Sequence, residues 1–177
     1  VRSSVVSHAK TLGYTPNSVR APIAFVNVTL NNIGNLTSAT IPVGTVFTTV
    51  IDDVNYQFVT VAEHSTQIQN GIISFTNLPI YEGTYVTNRY TVDTDNVDQK
   101  FYVNDENGDT TTLIVDVFDN SSSTSSTTFT LATDTTQTAS DSNVYFLQES
   151  VDGKFEIYFG DGIIGKALSD GNIVRMR

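Results

Sequence analysis

Residues 154–165 read Lys-Phe-Glu-Ile-Tyr-Phe-Gly-Asp-Gly-Ile-Ile-Gly, and no other stretch restricts the possible folds as much. Phe155, Ile157 and Phe159 alternate with Lys154, Glu156 and Tyr158. A period of two puts one side chain in a core and the next in water, so the pattern predicts a half-buried strand with Phe155, Ile157 and Phe159 inside. Gly160-Asp161-Gly162 follows at once, and Asp170-Gly171 repeats the device, supplying residues that tolerate positive φ and reverse a chain. The expected result is a strand, a glycine-fixed turn and a returning strand at 173–176. On this reading the turn is a connector that closes the domain by bringing its last strands back beside its first.

Most of the remaining chain keeps the same period and is rich in Val, Ile, Thr, Tyr and Phe, the composition of strands. Ala24, Val26, Val28 and Leu30 share one face of a first strand and Ile23 and Phe25 lie opposite, which predicts a central strand apolar on both sides. Further strands are expected over 56–62, 72–76 and 84–92, separated by Asn70-Gly71 and by 78–83. Residues 101–103 and 113–118 suggest a hairpin, and so do 144–149 and 154–159 across Asp152-Gly153. The Ser- and Thr-dominated run 120–142 contains no basic residue and reads as an exposed hairpin or loop outside the core. Ser3 and Ser4 ahead of Val5, Val6, Ala9 and Leu12, with Gly13 and Pro16 as stops, predict a short amino-terminal helix.

Strands this short and evenly spaced, with no long helical period between them, favour a sandwich or barrel over a parallel βαβ sheet. The expected fold class is therefore mainly β: two sandwich-like or mixed β units with a short amino-terminal helix. The expected division joins 1–77 and 143–177 into one discontinuous β domain, with 78–142 as an inserted β unit.

The formal net charge of -10, with nine Lys and Arg scattered along 177 residues, argues against a nucleic-acid or anionic-membrane surface and for a neutral or basic partner. The absence of cysteine removes disulfides, thiolate chemistry and cysteine-type zinc sites. No apolar run approaches the roughly 20 residues that span a bilayer. Val1 at the start, with Met176 as the only methionine, is expected of a piece of a longer protein.

Candidate chemistry is sparse. His8 and His64 have no motif partner, and no Gly-x-Ser-x-Gly elbow is present. Asp93, Asp95 and Asp98 offer oxygen ligands, as do Asp105, Asn107 and Asp109, but the second set has Thr110 where a calcium loop of the EF-hand type needs glycine. Both sets are expected to be solvated turns. Gly160, Gly162 and Gly165 precede no helical pattern, and Lys166 is not placed as in a phosphate-binding loop. The triplets beginning at Asn27, Asn35 and Asn120 fit the glycosylation acceptor pattern, as chance allows in a chain so rich in Asn, Ser and Thr. No residue is assigned to catalysis, to a cofactor or to a metal.

The two ends say more together. Ser7-His8-Ala9-Lys10-Thr11-Leu12-Gly13-Tyr14-Thr15-Pro16, then Arg20-Ala21-Pro22-Ile23-Ala24-Phe25-Val26-Asn27-Val28, then the bend Ile41-Pro42-Val43-Gly44-Thr45-Val46-Phe47, and last 155–165, occur in that order. This ordered set resembles the baseplate J-like proteins of contractile-tailed bacteriophages, and within that family its wording is most similar to the wedge proteins. The residues that carry the resemblance as structural motifs are Gly13, Pro42, Gly44, Phe159, Gly160, Asp161, Gly162 and Gly165. It covers the first sixty residues or so and about the last thirty-five; the middle contributes nothing, and family members continue beyond the position of Arg177. The resemblance implies a structural, non-enzymatic subunit in the virion tail. Its implied partners are other wedge proteins and further copies of the full-length parent, joined in a ring whose interfaces rearrange when the sheath contracts. A surface β-sandwich adhesin module is the alternative that acidity and Thr and Asn richness also suit; a hydrolase has only dispersed carboxylates in its favour.

Overall fold

The computed structural model describes residues 4, 5, 8, 14, 16–31, 34–133, 138–150 and 153–177. They form a mainly β protein that divides into two compact units: residues 21–85, and residues 86–177 together with 1–20. The amino-terminal helix expected around Ser3 to Leu12 falls largely outside the described residues, as does Gly13; of that stretch, Ser4, Val5 and His8 are described and are helical. Among the described residues no helix is long and apolar enough to cross a membrane.

Unit 21–85 contains β1 (Ile23–Leu30), β2 (Ser38–Ile41), β3 (Val46–Ile51), β4 (Val54–Val59), β5 (His64–Gln67) and β6 (Ile73–Glu82). A curled four-stranded antiparallel sheet runs in the order β1-β6-β4-β3, and β2 pairs with β5 in a small two-stranded sheet. Tight turns set the registers. Asn70 (φ 53°) and Gly71 (φ 79°) reverse the chain between Gln69 and Ile72, as Asn-Gly predicts. Asp52 (φ 50°) and Asp53 (φ 61°) do the same between Ile51 and Val54, a turn that Asp-Asp signals only weakly. Ile73, Phe75, Leu78 and Ile80 of β6 are buried.

Two expectations fail in this unit. The first strand is an edge, not a central strand: β1 pairs with β6 alone, and Ile23 and Phe25 are 51% and 62% exposed. Nor does 78–83 interrupt a strand, because β6 runs through to Glu82. Its continuity depends on a bulge between Val26 and Val28, opposite which Asn77 takes φ 56° and donates its backbone N–H to Asn27 Oδ1 at 2.8 Å.

The second unit contains β7 (Asn88–Thr91), β8 (Phe101–Val103), a 3-10 turn at Thr110–Thr112, β9 (Val115–Phe118), β10 (Ser126–Leu131), β11 (Val144–Glu149), β12 (Phe155–Phe159) and β13 (Ile173–Met176). They form a seven-stranded sheet, β7-β13-β9-β10-β11-β12-β8, antiparallel except for the β10–β11 pair. The two end strands meet: Tyr90 of β7 donates its hydroxyl to the Tyr102 carbonyl of β8 at 2.9 Å and packs edge-to-face on Phe101 at 5.6 Å. The sheet is thus a nearly closed barrel rather than a sandwich, and as in other small barrels side chains fill its interior. Val115, Val117, Phe129, Tyr145, Ile157, Val174 and Met176 supply much of that core.

Here the expected pairings are partly right. β11 and β12 form the predicted hairpin, with Leu147 opposite Ile157. The other predicted hairpin does not exist, since β8 pairs with β12 while β9 pairs with β10 and β13. Run 120–142 is not wholly a loop outside the core: it contains β10, whose Phe129 is 3% exposed. The returning strand β13 lies between β7 and β9, beside neither β12 nor β1. Consequently 143–177 packs with 86–131, and the unit boundary falls at 85/86 rather than where hydrophobic spacing placed it. Sequence spacing reports which segments are strands but carries no information on parallel or long-range pairing, which is what moved the boundary.

Candidate functional site

The glycine-rich turn after β12 is a small rigid frame. Asp161 Oδ1 accepts the backbone N–H of Ile163 at 2.9 Å and of Ile164 at 3.1 Å, and Gly162, at φ 85°, donates to the Gly165 carbonyl at 3.0 Å. The N–H groups of Ile164 and Ile163 stabilise the ionised carboxyl and lower the Asp161 pKa. Gly165 (φ 81°) is buried and donates to the Ala139 carbonyl at 3.1 Å, and Lys166 donates to the Ser142 carbonyl at 2.9 Å, which ties the turn to the loop before β11. Gly160 does not use positive φ; it is small because a Cβ there would lie 2.2 Å from the Gly165 carbonyl oxygen. What this frame holds outward is apolar: Ile163 is 75% exposed and Ile164 43%. An apolar pair on a preordered turn is suited to protein contact, because little conformational freedom remains to be lost on binding.

Phe159, which opens the turn, is half-buried and packs edge-to-face on Phe101 at 5.5 Å and on Phe129 at 5.4 Å. Phe155 and Ile157 are buried as the alternation predicts. Glu156 departs from it: it is 4% exposed rather than solvated, held by Gln148 Nε2 at 2.6 Å and Lys100 Nζ at 3.5 Å.

Pro42 and Gly44 lie in the bend between β2 and β3. The Pro42 carbonyl accepts both Thr45 Oγ1 and Thr60 Oγ1 at 2.8 Å, and Gly44 (φ 82°) donates to the Thr60 carbonyl at 2.8 Å. Thr60 is fully buried, and its carbonyl also accepts the Tyr85 hydroxyl at 3.1 Å. These residues therefore lock a corner of unit 21–85 and present no reactive group.

No described arrangement resembles a catalytic centre. His8 is exposed, and His64 stands opposite Ile41 in the β2–β5 pair with Nε2 buried and unbonded. Asp93 and Asp105 spend Oδ1 on the backbone N–H groups of Asp95 and Asn107, and Asp109 caps the 3-10 turn through Thr111. Among the described residues no three of His, Cys, Asp and Glu are grouped to hold a metal ion.

The strongest electrostatic feature is structural. Asp116 of β9 is 3% exposed; its Oδ2 accepts Arg175 at 2.8 Å and Arg177 at 3.1 Å, while Oδ1 accepts the Thr128 hydroxyl at 2.8 Å. Burial pushes this carboxyl up, but the bonds from Arg175 and Thr128 and the two guanidinium charges outweigh it, so its pKa is lowered. Arg175 also lies 4.8 Å over the Phe118 ring. Sequence reading passed over this cluster, although an aspartate inside Val115-Asp116-Val117-Phe118 breaks an apolar run and is the signal of a paired carboxylate. A lowered folded-state pKa stabilises the fold above the unfolded carboxylate value and is lost as pH falls through the folded value. Thermal stability is therefore expected to fall below about pH 4. Asp116→Asn should flatten that acid limb in melting curves collected from pH 7 to pH 2; an unchanged limb would remove Asp116 as its cause.

Residues 86–176 match the family model described as bacteriophage baseplate wedge protein gp6, third domain. The match covers just over half of the chain and coincides with the nearly closed barrel. No curated protein matches the chain.

Proposed function

The chain belongs to the bacteriophage baseplate wedge protein gp6 family, through the third domain that residues 86–176 match, and from that premise we propose how its surface serves the baseplate. The protein is a structural subunit of the phage tail baseplate and resides in the tail of the virion. In our reading it acts by contact alone, joining other wedge proteins and further copies of its longer parent into the baseplate ring, with no reaction of its own. Within each β unit the strands keep their pairing during sheath contraction while exposed turns exchange partners. The ordered motifs of the two ends support placing it in the wider baseplate J-like grouping, where they resemble the large wedge protein of T-even-type phages. No observation favours the adhesin reading.

The observation that carries this proposal is the family match over the barrel that presents Ile163 and Ile164. Ile163 is expected to be an apolar anchor in a wedge contact. Ile163→Asp should weaken association with purified wedge proteins at least about tenfold, or about 1.4 kcal/mol, because it desolvates a charge in the contact. At 75% exposure the same change should leave the melting temperature within about 2 °C of the parent. Unchanged affinity measured by calorimetry would remove the turn from the interface.

A further inference from the structure

Among the described residues, the sheet edge formed by β1 has one guard, the bulge between Val26 and Val28, and it leaves the run before it open. Ile-Ala-Phe-Val-Asn-Val-Thr-Leu carries no charge and no proline over eight residues, yet it is an edge strand. Soluble proteins ordinarily protect such an edge with lysine, proline or a covering element, because its free N–H and C=O groups template another strand. The direction of those groups follows from a single bond. Glu82 donates its N–H to the Pro22 carbonyl at 2.9 Å, so Pro22 and Glu82 are a hydrogen-bonded pair, and Ile23 and Tyr81 are the next, non-bonded pair. Alternation then turns Ala24 and Val26 toward β6 and leaves the N–H and C=O of Ile23 and Phe25 facing outward. Among the described residues no hydrogen bond is recorded to those outward groups. The side chains of the same two residues are 51% and 62% exposed on one face of the sheet. Past Val26 the bulge breaks the register, so the usable edge is the short run from Ile23 to Val26.

We infer that the β1 edge of unit 21–85 is a strand-addition site that takes a short extended segment of a partner protein, with alternating apolar residues and flanking Lys or Arg. Charge selects this occupant over a second copy. Unit 21–85 contains Asp52, Asp53, Glu63 and Glu82 and no Lys or Arg, a net charge of -4 with His64 neutral. Two copies would bring two anionic units together, whereas a basic-flanked segment meets no repelling Lys or Arg within this unit. Main-chain bonds to Ile23 and Phe25 supply the pairing, and alternate apolar side chains cover the exposed Ile23 and Phe25. The inference rests on the baseplate reading for where such a segment is found, but the edge itself belongs to a unit outside the matched residues 86–176.

Residue-resolved amide hydrogen exchange on the chain alone and in a wedge reconstituted with purified wedge proteins tests it. Ala24 and Val26 amides, already bonded within the sheet, should exchange slowly in both. Ile23 and Phe25 amides should exchange fast in the isolated chain and at least about tenfold slower in the wedge. Phe25→Pro removes an outward donor and the exposed ring but no donor of the β1–β6 ladder, so it should keep that ladder while weakening wedge association at least about tenfold. Phe25→Lys, which keeps the backbone donor and adds a charge to the apolar face, should also weaken it and serves if the proline variant does not fold. Wedge association with Ile23 and Phe25 still fast would overturn strand addition and leave the baseplate reading standing. No association with wedge proteins would overturn both. Protection that grows with the concentration of the chain alone would assign the edge to a second copy and overturn the partner named above.

Discussion

Ile157→Ala is expected to destabilise the second unit by about 2–5 kcal/mol, the cost of emptying a fully packed site. Ile157 is 1% exposed and sits in β12 between two partners, with Leu147 opposite on β11 and Phe101 opposite on β8. Those three strands form one end of the seven-stranded sheet, so a void there loosens the pairing on both sides at once. Phe159, two residues on, is only half-buried, and its truncation should cost less than removal of a fully buried phenylalanine even though it abandons two edge-to-face ring contacts. Urea unfolding of the two variants compares them directly. A loss below about 1 kcal/mol for Ile157→Ala would mean that β12 is not a core strand of this barrel.

Gly160→Ala is the second large effect, and it has a different cause. The added methyl would stand 2.2 Å from the Gly165 carbonyl oxygen and 2.3 Å from both the Gly165 carbonyl carbon and the Ile164 carbonyl oxygen. All three are backbone atoms, so no side chain can swing away; the turn itself must open. We expect a loss of about 2–4 kcal/mol. The Asp161 bonds to Ile163 and Ile164 should break with it, so amide exchange of those two residues should accelerate together. Gly162→Ala is a useful comparison, since its Cβ would meet nothing nearer than the Ala167 Cβ at 3.9 Å and only its φ of 85° resists substitution. Equal losses for the two variants would contradict the steric account of Gly160.

The alternation in 154–159 was legible because a strand's period survives in sequence, and the β11–β12 hairpin followed from its Asp152-Gly153 signal, although the ladder closes at Ser150 and Lys154 rather than around a two-residue turn. The function of the glycines was half legible: Gly162 and Gly165 do adopt positive φ, whereas Gly160 is required by a close approach that no local pattern records. Glu156 was misplaced because Lys100 and Gln148, which allow a carboxylate to be buried, come from elsewhere in the chain, the first just ahead of β8 and the second in β11. The same limit hid the position of β13. Its apolar pattern identifies a strand, but its partners β7 and β9 are chosen by packing across the whole sheet. β1 was apolar on both faces and so read as central, yet an edge strand kept for a partner has the same signature. The exposed Ile163 was within the most informative stretch of the chain and still read as part of a turn, since exposure is settled by what surrounds a residue.

Electron cryomicroscopy of the intact phage baseplate tests the structural assignment most directly. The nearly closed seven-stranded barrel should be found in every wedge, with Ile163 in van der Waals contact with a neighbouring protein. A baseplate whose wedges lack that barrel, or hold it with the 160–165 turn facing solvent in the extended and contracted tails alike, would contradict the account.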